Sequence, residues 1–160
     1  MNNSGQLIVK GGSSASGITV STSGGNSSIS IENSGDIDVT AGTNGFAISA
    51  AALGQGSSIR IENGGDLRVR AAADGSTFIA GIYAQTLYNA NNRPIDIVNR
   101  GSIDSDGAGI IAANLSDAGP GDTGSFNPIS IANYAAIRAV GDGISTETDA
   151  AFSGITIAHR

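Results

Sequence analysis

Hydrophobic and polar residues alternate in short runs along this chain, and the runs recur. Ile29 and Ile31 alternate with Ser30 and Glu32, Ile59 and Ile61 with Arg60 and Glu62, and Ile129 and Ile131 with Ser130 and Ala132. A period of two buries one face of an extended strand and leaves the other outside. Each run then enters a turn and restarts. Asn33-Ser34-Gly35 precedes Ile37 and Val39, Asn63-Gly64-Gly65 precedes Leu67 and Val69, and Asn99-Arg100-Gly101 precedes Ile103. Asparagine and glycine suit such a corner because both accept a positive φ. The unit is Ile-x-Ile-x-Asn-x-Gly-x-Ile/Leu, with copies starting at Ile29, Ile59, Ile95 and Ile129 and a truncated fifth at Ile155. The fourth copy carries Ala135 in the glycine slot, and the fifth has His159 in the asparagine slot. Starts 30, 36, 34 and 26 residues apart indicate a solenoid.

A second signature follows each copy: glycine and then a large apolar residue, at Gly17-Ile18, Gly45-Phe46, Gly81-Ile82, Gly109-Ile110 and Gly143-Ile144. It marks a third short strand per repeat. Three strands joined by turns, repeated in phase, predict an all-β three-sided solenoid of about five coils, each strand pairing with its equivalent about 4.8 Å away. The expected division of residues 1–160 is a partial coil at 1–28 lacking a first strand, coils at 29–58, 59–94, 95–128 and 129–154, and a partial coil at 155–160. The isoleucines form core ladders. Asn33, Asn63, Asn99 and Asn133 stack at one corner, where their amides can bond along the axis. Outside, Asp38, Arg68, Asp104 and Arg138 fall in equivalent slots with alternating sign, an arrangement that fixes register.

Composition agrees with a thin core. Of 160 residues 24 are glycine, aromatic residues are only 4%, and there is no cysteine or tryptophan. That excludes a disulfide framework and thiolate metal sites. A net charge of −6 argues against nucleic acid as a partner. No stretch reads as a signal peptide or is apolar enough to span a bilayer, so no membrane contact by this segment is expected.

The recurrent Ile-x-Ile-x-Asn-x-Gly-x-Ile followed by Gly-Ile resembles the passenger repeats of bacterial autotransporters and filamentous-haemagglutinin-type adhesins, from about Leu7 to Ile157. The resemblance implies a right-handed single-stranded parallel β-helix, displayed outside a Gram-negative cell and usually carried by a C-terminal outer-membrane barrel. It implies an extracellular or cell-surface location. The partners expected are neighbouring coils of a longer parent chain, or end-to-end self-association, and a host surface protein or glycan.

Parallel β-helices include polysaccharide lyases and hydrolases, and acid–base work on a glycosidic bond needs two carboxylates about 5–9.5 Å apart. Asp104 with Asp106, and Asp36 with Asp38, are the available pairs, while the lone His159 sits in the last two residues. Charged residues on a solenoid are mostly solvated, so no catalytic residue is assigned and the chain is not expected to be an enzyme. Asp104-Ser105-Asp106-Gly107 offers a weak Ca²⁺ site at most, since it lacks the ligand series of an EF-hand. No other cofactor is expected. Length variation concentrates at two places: the corner between third and first strands, at 53–58, 83–94, 112–128 and 147–154, and a further insertion around 71–78. The loops at 83–94 and 112–128 make Tyr83, Leu87, Tyr88, Arg93, Asp117, Asp122 and Phe126 candidate binding-loop residues. The expected function is a structural rod segment of a surface adhesin. The alternatives are a loop-mediated binding module for a host protein or glycan, and a β-helix polysaccharide lyase or hydrolase.

Overall fold

The computed structural model describes residues 1–54, 56–72, 78–87, 93–115, 127–148 and 154–160. They contain sixteen strands and no helix: β1 (Asn2–Asn3), β2 (Leu7–Lys10), β3 (Ser14–Thr22), β4 (Ile29–Asn33), β5 (Ile37–Ala41), β6 (Asn44–Ala52), β7 (Ile59–Asn63), β8 (Leu67–Ala71), β9 (Phe78–Leu87), β10 (Ile95–Asn99), β11 (Ile103–Ser105), β12 (Ala108–Leu115), β13 (Ile129–Asn133), β14 (Ile137–Ala139), β15 (Ile144–Thr148) and β16 (Ile155–His159). Every third strand lies in the same sheet. The first sheet runs β1-β4-β7-β10-β13-β16, the second β2-β5-β8-β11-β14 and the third β3-β6-β9-β12-β15, all parallel. The fold is a three-sided parallel β-solenoid.

Register is kept despite the uneven repeat length. Ile29, Ile59, Ile95, Ile129 and Ile155 pair in sequence along the first sheet. Leu7, Ile37, Leu67, Ile103 and Ile137 do so along the second. The extra residues of longer repeats fall between strands: between Ala71 and Phe78, Leu87 and Ile95, and Leu115 and Ile129. A shift of one residue inside a strand would turn Arg60 or Asp96 into the core, so insertions survive only at corners.

Among the described residues, the buried apolar ones are all isoleucine, leucine, valine or alanine. Between the facing strands, mostly β-branched side chains fill the interior in stacked ladders.

The structure corrects three expectations. The first 28 residues do have a first strand: Asn2 and Asn3 pair with Glu32 and Asn33, so Asn3-Ser4-Gly5 is a further copy of the corner. Second, corner glycines are not set by positive φ. Among the described residues only Asn26 and Gly56 have φ in that range, at 56° and 67°. What Gly65 and Gly101 require is space: a Cβ on either would lie under 3.0 Å from the carbonyl oxygen of the equivalent glycine one coil back, Gly35 and Gly65 respectively. Third, the Gly-apolar signature is out of phase at one site. Ile18, Ile48, Ile82, Ile110 and Ile144 are the paired row, so Ala47-Ile48 is the true equivalent in the second coil. Both residues of this step are buried in β6, β9 and β12, so the strand bends there and reverses its inward phase. Gly45-Phe46 lies two residues earlier, and Phe46 pairs with Ser16 and Ala80 and points outward.

Placing a charge in the Ile97 ladder tests this core. Ile97 is 1% exposed, between Ile61 and Ile131. Ile97→Asp should remove several kcal/mol of stability, because its carboxylate would have no partner there. Urea denaturation followed by circular dichroism should show the midpoint collapse; a shift within about 0.5 kcal/mol of wild type would refute the buried-ladder assignment.

Candidate functional site

The first corner carries a continuous ladder of polar side chains. Asn33, Asn63, Asn99 and Asn133 end β4, β7, β10 and β13 with side chains buried. Each amide nitrogen donates twice. One bond closes the turn onto the carbonyl two residues on: Gly35 at 2.7 Å, Gly65 at 2.8 Å and Gly101 at 2.8 Å. The other reaches the next asparagine, Asn33 to Asn63 at 2.7 Å, Asn63 to Asn99 at 2.7 Å and Asn99 to Asn133 at 2.6 Å. Asn3 extends the ladder backwards, donating to Asn33 Oδ1 at 2.7 Å. At the other end Asn133 Nδ2 meets His159 Nδ1 at 2.9 Å. An amide nitrogen only donates, so Nδ1 accepts and the imidazole proton is on Nε2. Every ladder bond joins one coil to another, so the corner is structural in its chemistry.

A second row runs beside it. Asp36 Oδ1 accepts the Asp66 N–H at 3.0 Å, and Asp66 Oδ1 accepts both the N–H and the Oγ–H of Ser102, at 2.9 and 2.8 Å. The Ser102 hydroxyl, then its N–H, hold the Asp66 carboxyl below the usual carboxylate range. The second sheet carries a row of charges. Asp38, Arg68, Asp104 and Arg138 occupy one row, as expected from the repeat. Their contacts differ from that expectation. Arg68 lies 3.8 Å from Asp38, but Asp104 turns to Arg70, both of whose terminal guanidinium nitrogens bond its carboxylate, and one of the two also lies 3.3 Å from Asp106. Asp106 also accepts the Ala71 N–H at 2.9 Å. The hydrogen bond from Arg70 is the main reason that the Asp104 carboxyl is held low and the Arg70 guanidinium high. Arg60 pairs with Glu62 of its own strand, relieving the like-charge contact of Glu62 with Glu32.

The carboxylate pairs are therefore engaged. Asp104 and Asp106 converge on one arginine, and Asp36 holds a neighbouring backbone N–H. The position between Asp104 and Asp106, where a cation would sit, is taken by Arg70. Among the described residues no group of three or more His, Cys, Asp and Glu side chains is arranged to hold a metal ion.

The candidate loop residues divide. Tyr88, Asp117, Asp122 and Phe126 lie outside the described residues. Tyr83 and Leu87 are in a strand and not in a loop: both belong to β9, where Tyr83 pairs with Ser49 and Ile111, and Leu87 with Leu115. Arg93 is not at the surface; it is 1% exposed, and its N–H donates to Asn127 Oδ1 at 3.0 Å. Asn127 belongs to a buried polar group at the third corner, where its carbonyl accepts from Asn114 Nδ2 at 2.7 Å and Asn114 Oδ1 accepts from the Thr86 hydroxyl.

Comparison with protein families, with curated proteins and with solved structures finds no match to this chain.

Acid should weaken the solenoid through the second sheet. The Asp66 and Asp104 carboxyls are held below the ordinary value of 3.8 in the folded chain. Their contribution is thus fully present above that value and is lost as pH falls through it toward their lower folded values. Melting temperature should drop between neutral pH and the acid side of this window, and Asp104→Asn should flatten the drop. An Asp104→Asn protein with the wild-type pH profile would contradict the Arg70 pairing. Half-buried Asp38 and exposed Arg138 should each tolerate alanine within about 0.5 kcal/mol, read from the same melts.

Proposed function

We propose that this chain is a non-enzymatic structural segment of a longer β-helical rod, displayed on or outside a bacterial cell in the manner of an autotransporter-type adhesin. The observation that carries the reading is the corner ladder. Asn3, Asn33, Asn63, Asn99 and Asn133, with His159 after them, form one chain of side-chain bonds along the stack. Its polar groups are used in joining coils. The charged groups behave likewise: Arg70, Asp104 and Asp106 satisfy one another across neighbouring strands. Side chains so engaged serve continuity along an axis, which is what a spacer needs. The resemblance of the repeat to adhesin passenger segments supplies the bacterial surface setting, with the neighbouring coils of a parent chain as partners and no cofactor in the mechanism.

A rod whose function is length should survive losing a coil. Excising residues 59–94 brings Ser58 to Ile95, and β4 then faces β10 with Ile29, Ile31 and Asn33 opposite Ile95, Ile97 and Asn99. Both strands already hold this register against β7. The shortened chain should fold with unchanged β circular dichroism, and small-angle scattering should give a stack shorter by about 4.8 Å. Failure to fold would show that the coils are not interchangeable and would count against the rod. Incubation of the whole chain with acidic polysaccharides should yield no new reducing ends and no unsaturated products; either product would overturn the non-enzymatic reading.

A further inference from the structure

The three sheets differ in the charge they carry. Each of β2, β5, β8, β11 and β14 in the second sheet contains a charged residue, and the first sheet presents Glu32, Arg60, Glu62 and Asp96. In the third sheet β3, β6, β9 and β12 contain none; only Glu147 on β15 is charged. In a chain of net charge −6 this leaves one neutral flank along four successive coils.

Aromatic rings gather on that flank. Among the described residues the core has no ring, yet Phe46 of β6 and Phe78 and Tyr83 of β9 meet on the outer surface. All three centroid separations are 5.2 Å. Phe46 and Tyr83 are stacked at 24°, and Phe78 stands edge-on to both at 77° and 81°. Phe78 is 39% exposed, and Phe46 and Tyr83 are half-buried. The Tyr83 hydroxyl donates to Gln85 Oε1 at 2.6 Å, which fixes the ring, and burial raises its pKa. Around the rings, the sheet places hydroxyls and amides in register: Ser16 beside Phe46, Asn44 beside Phe78, and Ser49 beside Tyr83.

We propose that the outer face of the third sheet, centred on Phe46, Phe78 and Tyr83, binds a neutral polysaccharide. A pyranose ring has an apolar face of C–H groups and a rim of hydroxyls. Aromatic rings held rigid by mutual packing accept the first, and neighbouring hydroxyl and amide groups accept the second. The absence of charge selects the occupant. A peptide or an acidic glycan would be expected to use complementary charge, which the other two sheets have and this face lacks. The strand spacing extends the surface along the axis, so the ligand is a chain of sugars and not a single one. Binding on a sheet face needs no loop and does not interrupt the stack, so it is compatible with a spacer and independent of that reading.

Affinity electrophoresis of the whole chain through gels containing soluble β-glucan, mannan or galactan, with polygalacturonate as the acidic comparison, tests this. At least one neutral polymer should retard the protein, with little change between about 0.05 and 0.5 M salt, because no charged group takes part. Phe46→Ser, which installs the residue already present at Ser16 one coil back, and Tyr83→Ser should each weaken retardation about tenfold with circular dichroism unchanged. The wild-type protein gives a reading that does not depend on a variant folding: the ring protons of Phe46, Phe78 and Tyr83 should shift in NMR spectra on adding the retarding glycan. The proposal is overturned by retardation in none of the neutral gels, by retardation in polygalacturonate alone, by variants that bind as wild type, or by shifts confined to other residues. Concentration-dependent self-association abolished by Phe46→Ser would also overturn it, assigning the face to a second copy of the chain.

Discussion

Everything in this solenoid depends on buried polar groups finding their partners in the adjacent coil. A primary amide has two N–H donors and an oxygen acceptor. At Asn63 one donor closes its own turn on Gly65, the other bonds Asn99, and the oxygen accepts from Asn33. Leaving a buried member of such a chain unmatched would cost about 1–3 kcal/mol. The cost recurs at each coil, so only one register satisfies the whole ladder. Isoleucine ladders alone would reject a one-residue slip but would tolerate a shift by two, since the inward pattern repeats at that period. The asparagine breaks that degeneracy. This is why repeats spaced unevenly in sequence stack without drift in space.

Close stacking also explains the composition. Adjacent backbones meet so tightly at the first corner that Gly65 and Gly101 have no room for a Cβ. Ala135 stands in that slot in the fourth copy and is half-buried, next to the less covered β14. Within the coils, the buried apolar side chains among the described residues are branched aliphatic or alanine. Among the described residues, Phe46, Phe78 and Tyr83 lie on the outside and pack on one another. Low aromatic content and abundant glycine are two consequences of one narrow cross-section.

Most of the architecture was legible because the physics acts at short range in sequence. The period-two pattern at Ile29 and Ile31, the Asn-x-Gly turn and the restart at Ile37 each read out within nine residues. What escaped depends on neighbours one coil away. Asn3 was legible as Asn3-Ser4-Gly5 followed by Leu7, but no Ile-x-Ile precedes it, and a strand of two residues leaves no periodicity. Arg70 as the partner of Asp104 was hidden because the two are offset along the sheet, and a long arginine side chain crosses that offset. Phe46 was misplaced because Gly45 imitates the bend glycine, while the true bend uses Ala47. Tyr83 looked like loop because β9 is ten residues long and continues past the expected strand. The acidic pairs looked available in sequence; only pairing across strands shows Asp36 holding the Asp66 N–H and Asp106 holding that of Ala71.

The three sides perform different work because each outward row faces a different requirement. Near the first corner the polar groups turn inward and fix register. On the second side opposite charges lie across strands at partial exposure, where each pair contributes little but the alternation disfavours misplacement of a coil. An uncharged third side would ordinarily be a liability, since open neutral sheet faces invite association. Its residues change from coil to coil, from Ser16, Thr19 and Ser21 on β3, through the ring cluster on β6 and β9, to Ile111 and Leu115 on β12. Packing inside the coil does not demand that sequence, because these positions point away from the core. A selective pressure acting only on the ladders would leave them free to acquire charge as the other two faces have. Their neutrality over four strands is thus better explained by something that the face meets outside the molecule than by anything the stack needs within.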